Sequence, residues 1–242
     1  MTAPSTVSLA PDRDVANLAR AGTGGPVYYP VFLDLRDRLC VVIGDGEVAT
    51  AKSRELAHSG ARVRVISSLP SPQLRAAVIE AGLELYERDY RDGDLADAFL
   101  AFAERGDDAK LERIFAEAQR RQVFCNAQDR VPYCSLIAPA ILRRGDLTVA
   151  ISTAGRAPAL AVRLRDELAA QLGPEYAELL AIAAELRPRI ATRVPDFDER
   201  KRRWYQLVDS DVLALLRQGR REQATARAEE LLGVDAQSVA AP

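Results

Sequence analysis

One stretch, "CVVIGDGEVATAKSRELAHSGARVRVIS" (residues 40–67), constrains the fold more than any other. An apolar run, a glycine turn, a helical segment and a second apolar run follow one another within a single βαβ length. Two strands joined by a helix of this kind pair in parallel, with the helix laid across one face of the sheet. The turn reads G-x-G-x-x-A, with Gly44, Gly46 and Ala49. Gly44 permits the tight turn, Gly46 lets an anion approach the backbone, and Ala49 lets helix and strand pack closely. The free N–H groups of the first helical turn, which holds Glu47 and Val48, then face a phosphate. The pattern therefore points to NAD or NADP, with Gly44, Asp45, Gly46, Glu47 and Val48 as candidate cofactor residues; the other reading is a Rossmann fold that holds no nucleotide. Asp45, between the glycines, puts a negative charge near the pyrophosphate. At ~7 Å and an effective dielectric of ~20 the repulsion costs about 2 kcal/mol, a loss of affinity of about thirtyfold; fully solvated it costs about 0.6 kcal/mol, and a residue between the two glycines need not point at the ligand. The second strand ends in Ser67 and Ser68, where an acidic residue normally takes the ribose hydroxyls; Ser67 is the candidate there.

The rest of the chain extends the pattern. "YYPVFLDL" (28–35) reads as a short strand. A helix starts near Ser71 with Pro72 in its first turn, and "LELYER" and "AFLAFA" read as strands. "DDAKLERIFAEAQRRQ" has helical spacing of Leu111, Ile114 and Phe115, and "VFCNA" closes the series. Strands alternating with helices imply an α/β fold with a doubly wound parallel sheet, here a Rossmann-type domain over residues 26–138. "DLTVAIST" (146–153) is one more strand, followed by a helix from Pro158, which makes residues 139–173 a short α/β segment. From 174 to 234 no strand signal remains, and an all-helical C-terminal domain is expected. Residues 1–25 and 235–242 read as flexible tails.

Composition excludes several classes. The single His58 rules out a His-rich metal site and a His-based triad, and no metal-binding residues are assigned. Cys40, Cys125 and Cys134 have no paired spacing and read as reduced core residues of a cytoplasmic protein. No apolar run reaches membrane-spanning length, the N-terminus lacks a secretory pattern, and a net charge of −2 argues against nucleic acid as partner. All but three of the 33 basic residues are arginine, the exceptions being Lys52, Lys110 and Lys201. Either genomic base composition or a site that grips carboxylates with guanidinium forks accounts for that.

Two later stretches, "NAQDRVPYCSLIAPAI" (126–141) and "GDLTVAISTAGRAPALAVRLRDEL" (145–168), resemble the precorrin-2 dehydrogenase / sirohydrochlorin ferrochelatase family, the sirohaem-synthase enzymes. The opening "YYPVFLDLRDRLCVVIGDGEVATAK" and the closing "WYQLVDSDVLALLRQGRREQATARAEELL" are similar to that family too, so the resemblance spans roughly residues 28–233. It implies NAD-dependent oxidation of the tetrapyrrole precorrin-2 to sirohydrochlorin, and in bifunctional members insertion of Fe2+ or Co2+ as a divalent metal substrate. It also implies a homodimer, with subunit contacts exchanged through residues 139–173. By residue type Asp129 is a turn or cap aspartate; the resemblance makes it the general base, since both reactions need a proton removed. Asn126 is carried over to the cofactor side. Arg130, Ser135, Ser152, Thr153 and Arg156 are carried over as substrate-binding residues, Thr153 also as a modification site. Arg143, Arg144 and Arg163 join the arginines expected to meet the substrate's carboxylates.

The departures from the family cluster on the cofactor side. Its loop usually reads Gly-Gly-Gly where this chain has Asp45, and its small residues after the fourth strand are replaced by "AERG" with Glu104, Arg105 and Gly106. "AGR" (Ala154–Gly155) also replaces Gly-Gly. Two further readings follow: a member with weakened or lost oxidation that keeps metal insertion, and a non-catalytic tetrapyrrole-binding dimer.

Overall fold

The computed structural model describes residues 27–234, so both expected tails lie outside the described residues. The chain divides into a unit ending at Asp34 and a unit starting at Leu35. Residues 27–34 carry no regular element. The strand expected at 28–35 is therefore not formed: an extended run becomes a strand only by pairing its backbone groups, and this one pairs with no strand among the described residues.

The second unit opens with β1 (Leu39–Ile43), α1 (Glu47–His58), β2 (Arg62–Ser67), α2 (Pro72–Ala81) and β3 (Glu84–Glu87). It continues with β4 (Leu100–Ala103), α3 (Asp108–Arg121) and β5 (Phe124–Ala127). The five strands form one parallel sheet in the order β3-β2-β1-β4-β5. Local signals explain the helix limits. The Ser71 hydroxyl caps the N–H of Leu74 before Pro72, the Asp107 carboxylate caps Lys110, and Gly82 closes α2 in the left-handed conformation.

Alternation along β1 fixes the layering. Leu39, Val41 and Ile43 pack with Leu111, Ile114 and Ala118 of α3, whereas Cys40 and Val42 pack with Leu56 of α1 and Leu74 and Val78 of α2. Both faces of β1 are thus buried, as a continuous apolar run in a parallel sheet requires.

The segment after β5 departs from expectation. It holds two strands, β6 (Ala140–Arg144) and β7 (Leu147–Ile151), paired antiparallel around Gly145–Asp146, where the sequence suggested one. Then come α4 (Pro158–Gln171), α5 (Glu175–Arg193), α6 (Phe197–Val208), α7 (Val212–Arg217) and α8 (Arg221–Leu232). The helical domain has its own core of Ile182, Leu186, Ile190, Leu207, Leu216 and Leu232.

One buried charge lies in the sheet domain. Glu117 on α3 is 1% exposed and accepts hydrogen bonds from the Tyr90 hydroxyl, the Gly93 N–H (3.0 Å) and Arg121 Nε (2.6 Å). Burial alone would raise its pKa; those donors outweigh burial and hold it below the usual glutamate value. A depressed folded pKa contributes stability above the unfolded value, lost as pH falls through the folded one. Glu117→Leu is expected to cost about 3 kcal/mol, because Tyr90 and Gly93 lose their partner. Thermal melts at neutral pH should show a fall of about 6–12 °C. The difference from wild type should narrow below about pH 4.

Candidate functional site

In the order β3-β2-β1-β4-β5 the winding reverses between β1 and β4. Ligands of such sheets bind at the carboxyl ends of the strands, at this switch point. The loop after β1, the Glu104–Arg105 edge after β4 and the Gln128–Asp129 turn after β5 meet there. Glu104 N–H donates to Ile43 O (2.8 Å), and Gln128 N–H to Ala103 O (2.9 Å).

The glycine turn is occupied by the chain's own carboxylate. Glu104 Oε2 accepts the N–H groups of Asp45 and Gly46, both at 2.9 Å, and Oε1 accepts that of Ala49 at 3.4 Å. A Cβ on Gly44 would lie 2.6 Å from Glu104 Cβ, and one on Gly46 3.0 Å from Oε1. α1 has no side-chain cap from its own N-cap residue, Gly46, so Glu104 satisfies the donors at its start. The carboxylate shows that three backbone donors converge on one anion. The turn therefore fits a dinucleotide phosphate once this flexible side chain moves aside.

Asp45 does not face that seat, which corrects the expected repulsion. Its Oδ1 accepts from the Ser67 hydroxyl (2.5 Å) and the Leu69 N–H (2.9 Å), and Oδ2 lies 3.5 Å from Ser68 Oγ. Partial burial would raise its pKa, but the Ser67 and Leu69 bonds, the Lys110 charge and Ser68 bring it below the ordinary aspartate value. The side chain turns away because donors at the end of β2 compensate its charge.

Asp129 follows β5 in the left-handed conformation, at φ 59°. Its carboxylate pairs with Arg105, whose N–H donates to Gln128 Oε1 at 3.2 Å. The Ser152–Arg156 turn lies close by: a Cβ on Gly155 would meet Val131 Cγ2 at 3.6 Å. Arg130 reaches Asp108 at 3.0 Å, and Ser152 and Thr153 accept the N–H groups of Ala154 and Ala157.

Other candidates hold the scaffold instead. Asn126 Nδ2 donates to Leu136 O (3.1 Å), and the Ser135 hydroxyl accepts from Cys125 N–H (2.8 Å), so both pin the loop after β5. Val48, in the first turn of α1, packs on the core, and Glu47 is exposed. Arg144 caps the end of α4 through Leu172 O and Ala169 O, Arg143 reaches Glu55 at 4.0 Å, and Arg163 pairs with Glu167 along α4. Burial pushes the Cys125 thiol up to about 12 and that of Cys40 to about 11, which leaves neither a nucleophile. The role of Glu104 was missing from the sequence reading; an acid at the end of the strand beside a G-x-G turn is the signal for it. No helix among the described residues is long and apolar enough to cross a membrane.

Comparison with known proteins divides the chain the same way. Residues 31–140 match a family described as "Putative NAD(P)-binding", 144–171 one described as "Sirohaem biosynthesis protein central", and 175–232 "Sirohaem synthase dimerisation region". The last description falls on the helices α5–α8 rather than on residues 139–173. A "Siroheme synthase" of Pseudomonas paraeruginosa is 36% identical over 205 residues, 85% of this chain and 44% of that protein. A "Siroheme synthase 1" of Aeromonas hydrophila is 35% identical over 212 residues, 87% of this chain and 46% of that protein. The chain thus spans under half the length of these relatives. The solved structure of "SirC, precorrin-2 dehydrogenase" shares the fold, with a TM-score of 0.71 at 22% identity over 84% of this chain and all of the other.

Proposed function

Because this chain belongs to the sirohaem synthase family, we propose that it oxidises precorrin-2 to sirohydrochlorin with NAD+ as a cytoplasmic homodimer. The observation that carries this reading is the convergence of three backbone N–H groups on one anion at the β1/β4 switch point, with Asp129 at the end of the neighbouring strand.

Bound NAD+ would supply the hydride acceptor. The N–H groups of Asp45, Gly46 and Ala49 would hold its pyrophosphate once Glu104 withdraws. Asp129 takes the proton that leaves as the macrocycle gains its double bond. Arg130, Arg156 and the Ser152–Thr153 turn, beside the Asp129 loop, meet the substrate's carboxylates. Purified protein given precorrin-2 and NAD+ should form sirohydrochlorin, followed by visible absorbance. Substrate binding without turnover would sink the dehydrogenase reading.

A second reading is favoured by the hold of Glu104 on the loop: a member that inserts Fe2+ or Co2+ into sirohydrochlorin and has lost oxidation. In that reaction the macrocycle supplies the nitrogen ligands, and Asp129 removes pyrrole protons. Metal insertion without any NAD+-dependent turnover would select it. Failure of both reactions with retained substrate binding would leave a non-catalytic tetrapyrrole binder.

A further inference from the structure

The placement of Asp45 carries an inference that rests on the NAD reading and goes beyond it. In doubly wound sheets the acid that reads the adenosine ribose stands at the end of the second strand, about 20 residues after the glycines. Here that position is Ser67, 2% exposed and without charge. The missing carboxylate is delivered from elsewhere: Asp45, inside the glycine turn, reaches 22 residues along the chain to bond Ser67 Oγ at 2.5 Å.

We propose that Asp45 is the residue that selects NAD+ over NADP+, acting from the glycine loop in place of an acid on β2. Its Oδ1 is committed to Ser67 and to the Leu69 N–H (2.9 Å). Among the described residues its Oδ2 has only the long 3.5 Å contact with Ser68, so it keeps acceptor capacity for a ribose hydroxyl. The same negative charge repels a phosphate on the ribose 2′-oxygen. The cation whose charge reaches Asp45, Lys110, is itself paired with Asp89 at 3.2 Å, so it is already engaged rather than waiting for a phosphate. Three facts are thus joined. A serine stands where an acid belongs, an acid stands between the two glycines of the turn, and the two are hydrogen-bonded.

The test is equilibrium binding of NAD+ and of NADP+ by titration calorimetry, without substrate. Wild type, Asp45→Asn and Asp45→Gly are compared, each also in a Glu104→Ala background that opens the phosphate seat. Wild type should bind NAD+ about 30-fold more tightly than NADP+, the factor expected for one charge repelled across ~7 Å. Asp45→Asn keeps the shape and can still accept from Leu69, so the fold of the loop is preserved. Its preference should fall to about threefold, mostly through tighter NADP+ binding. Asp45→Gly should lose preference and also some NAD+ affinity. NAD+ binding with an unchanged preference in both variants would overturn the inference while leaving the NAD reading intact. Binding of neither nucleotide in either background would overturn both.

Discussion

With Glu104 replaced by alanine, NAD+ is expected to bind about 5- to 30-fold more tightly than to wild type, while the ligand-free protein melts at a lower temperature. The two effects have opposite signs because one carboxylate does two things. In the ligand-free chain it satisfies the N–H groups of Asp45, Gly46 and Ala49, so its removal leaves the start of α1 to water. Hydrogen bonds to a charged acceptor contribute about 1.5–3 kcal/mol each when buried, less at this half-buried edge. A net loss of about 1–2 kcal/mol is expected, seen as a small fall in melting temperature. A dinucleotide must first displace the side chain, so its apparent affinity is reduced by the fraction of molecules with an open seat. Opening gives up those same bonds, about 1–2 kcal/mol, so removing the side chain tightens binding by about 5- to 30-fold. Glu104→Gln, which keeps length but loses charge, should fall between. A lower melting temperature with unchanged NAD+ affinity would make Glu104 a helix cap only, and the turn would not be the nucleotide's seat.

How far the sequence alone reached can be judged residue by residue. The βαβ unit was legible because a fully apolar strand, two glycines and a Gly60 stop are local signals with little competition. The hairpin was half legible. Ala140–Arg144 reads as three apolar residues before a pair of arginines, and becomes a strand only because Gly145 takes a positive φ of 56° and folds it onto β7. The helix break at residues 209–211 rests on Ser210, which acts twice, donating to Leu207 O (2.7 Å) and accepting from Val212 N–H (3.2 Å). At the site, the types and the spacing were visible but the directions were not. The sequence does not say which way Asp45 points, because nothing local shows that Ser67 and Leu69, more than 20 residues away, supply its donors. Glu104 was noticed as an intruder, yet its hold on the loop depends on β4 lying beside β1, which is a property of strand order. Both directions depend on tertiary partners of charged side chains. A carboxylate at such an edge goes where donors are concentrated, and strand order decides where that is.

Asp129→Asn is expected to lower the rate of whichever reaction the protein performs by about 10²–10⁴-fold, with little change in KM or melting temperature. The substitution isolates the chemistry because asparagine tolerates the left-handed backbone at φ 59° as readily as aspartate. Alanine there would add strain and blur the result. Among the described residues the Arg105 pair is the one interaction the carboxylate would lose, and with side chains 67% and 58% exposed it contributes about 0–1 kcal/mol. A stability change beyond that size would mean that the loop, rather than the proton transfer, had been disturbed. Arg105→Ala supplies the complementary measurement. It keeps the base and removes its partner, so the rate should change only a few-fold if Asp129 works by accepting a proton. A collapse of the rate in Arg105→Ala as deep as in Asp129→Asn would instead make the ion pair the functional unit, with Asp129 acting to position the arginine. Full activity in Asp129→Asn would remove the residue as base for oxidation and metal insertion alike, and with it the chemical reason for placing the tetrapyrrole against this edge of the sheet.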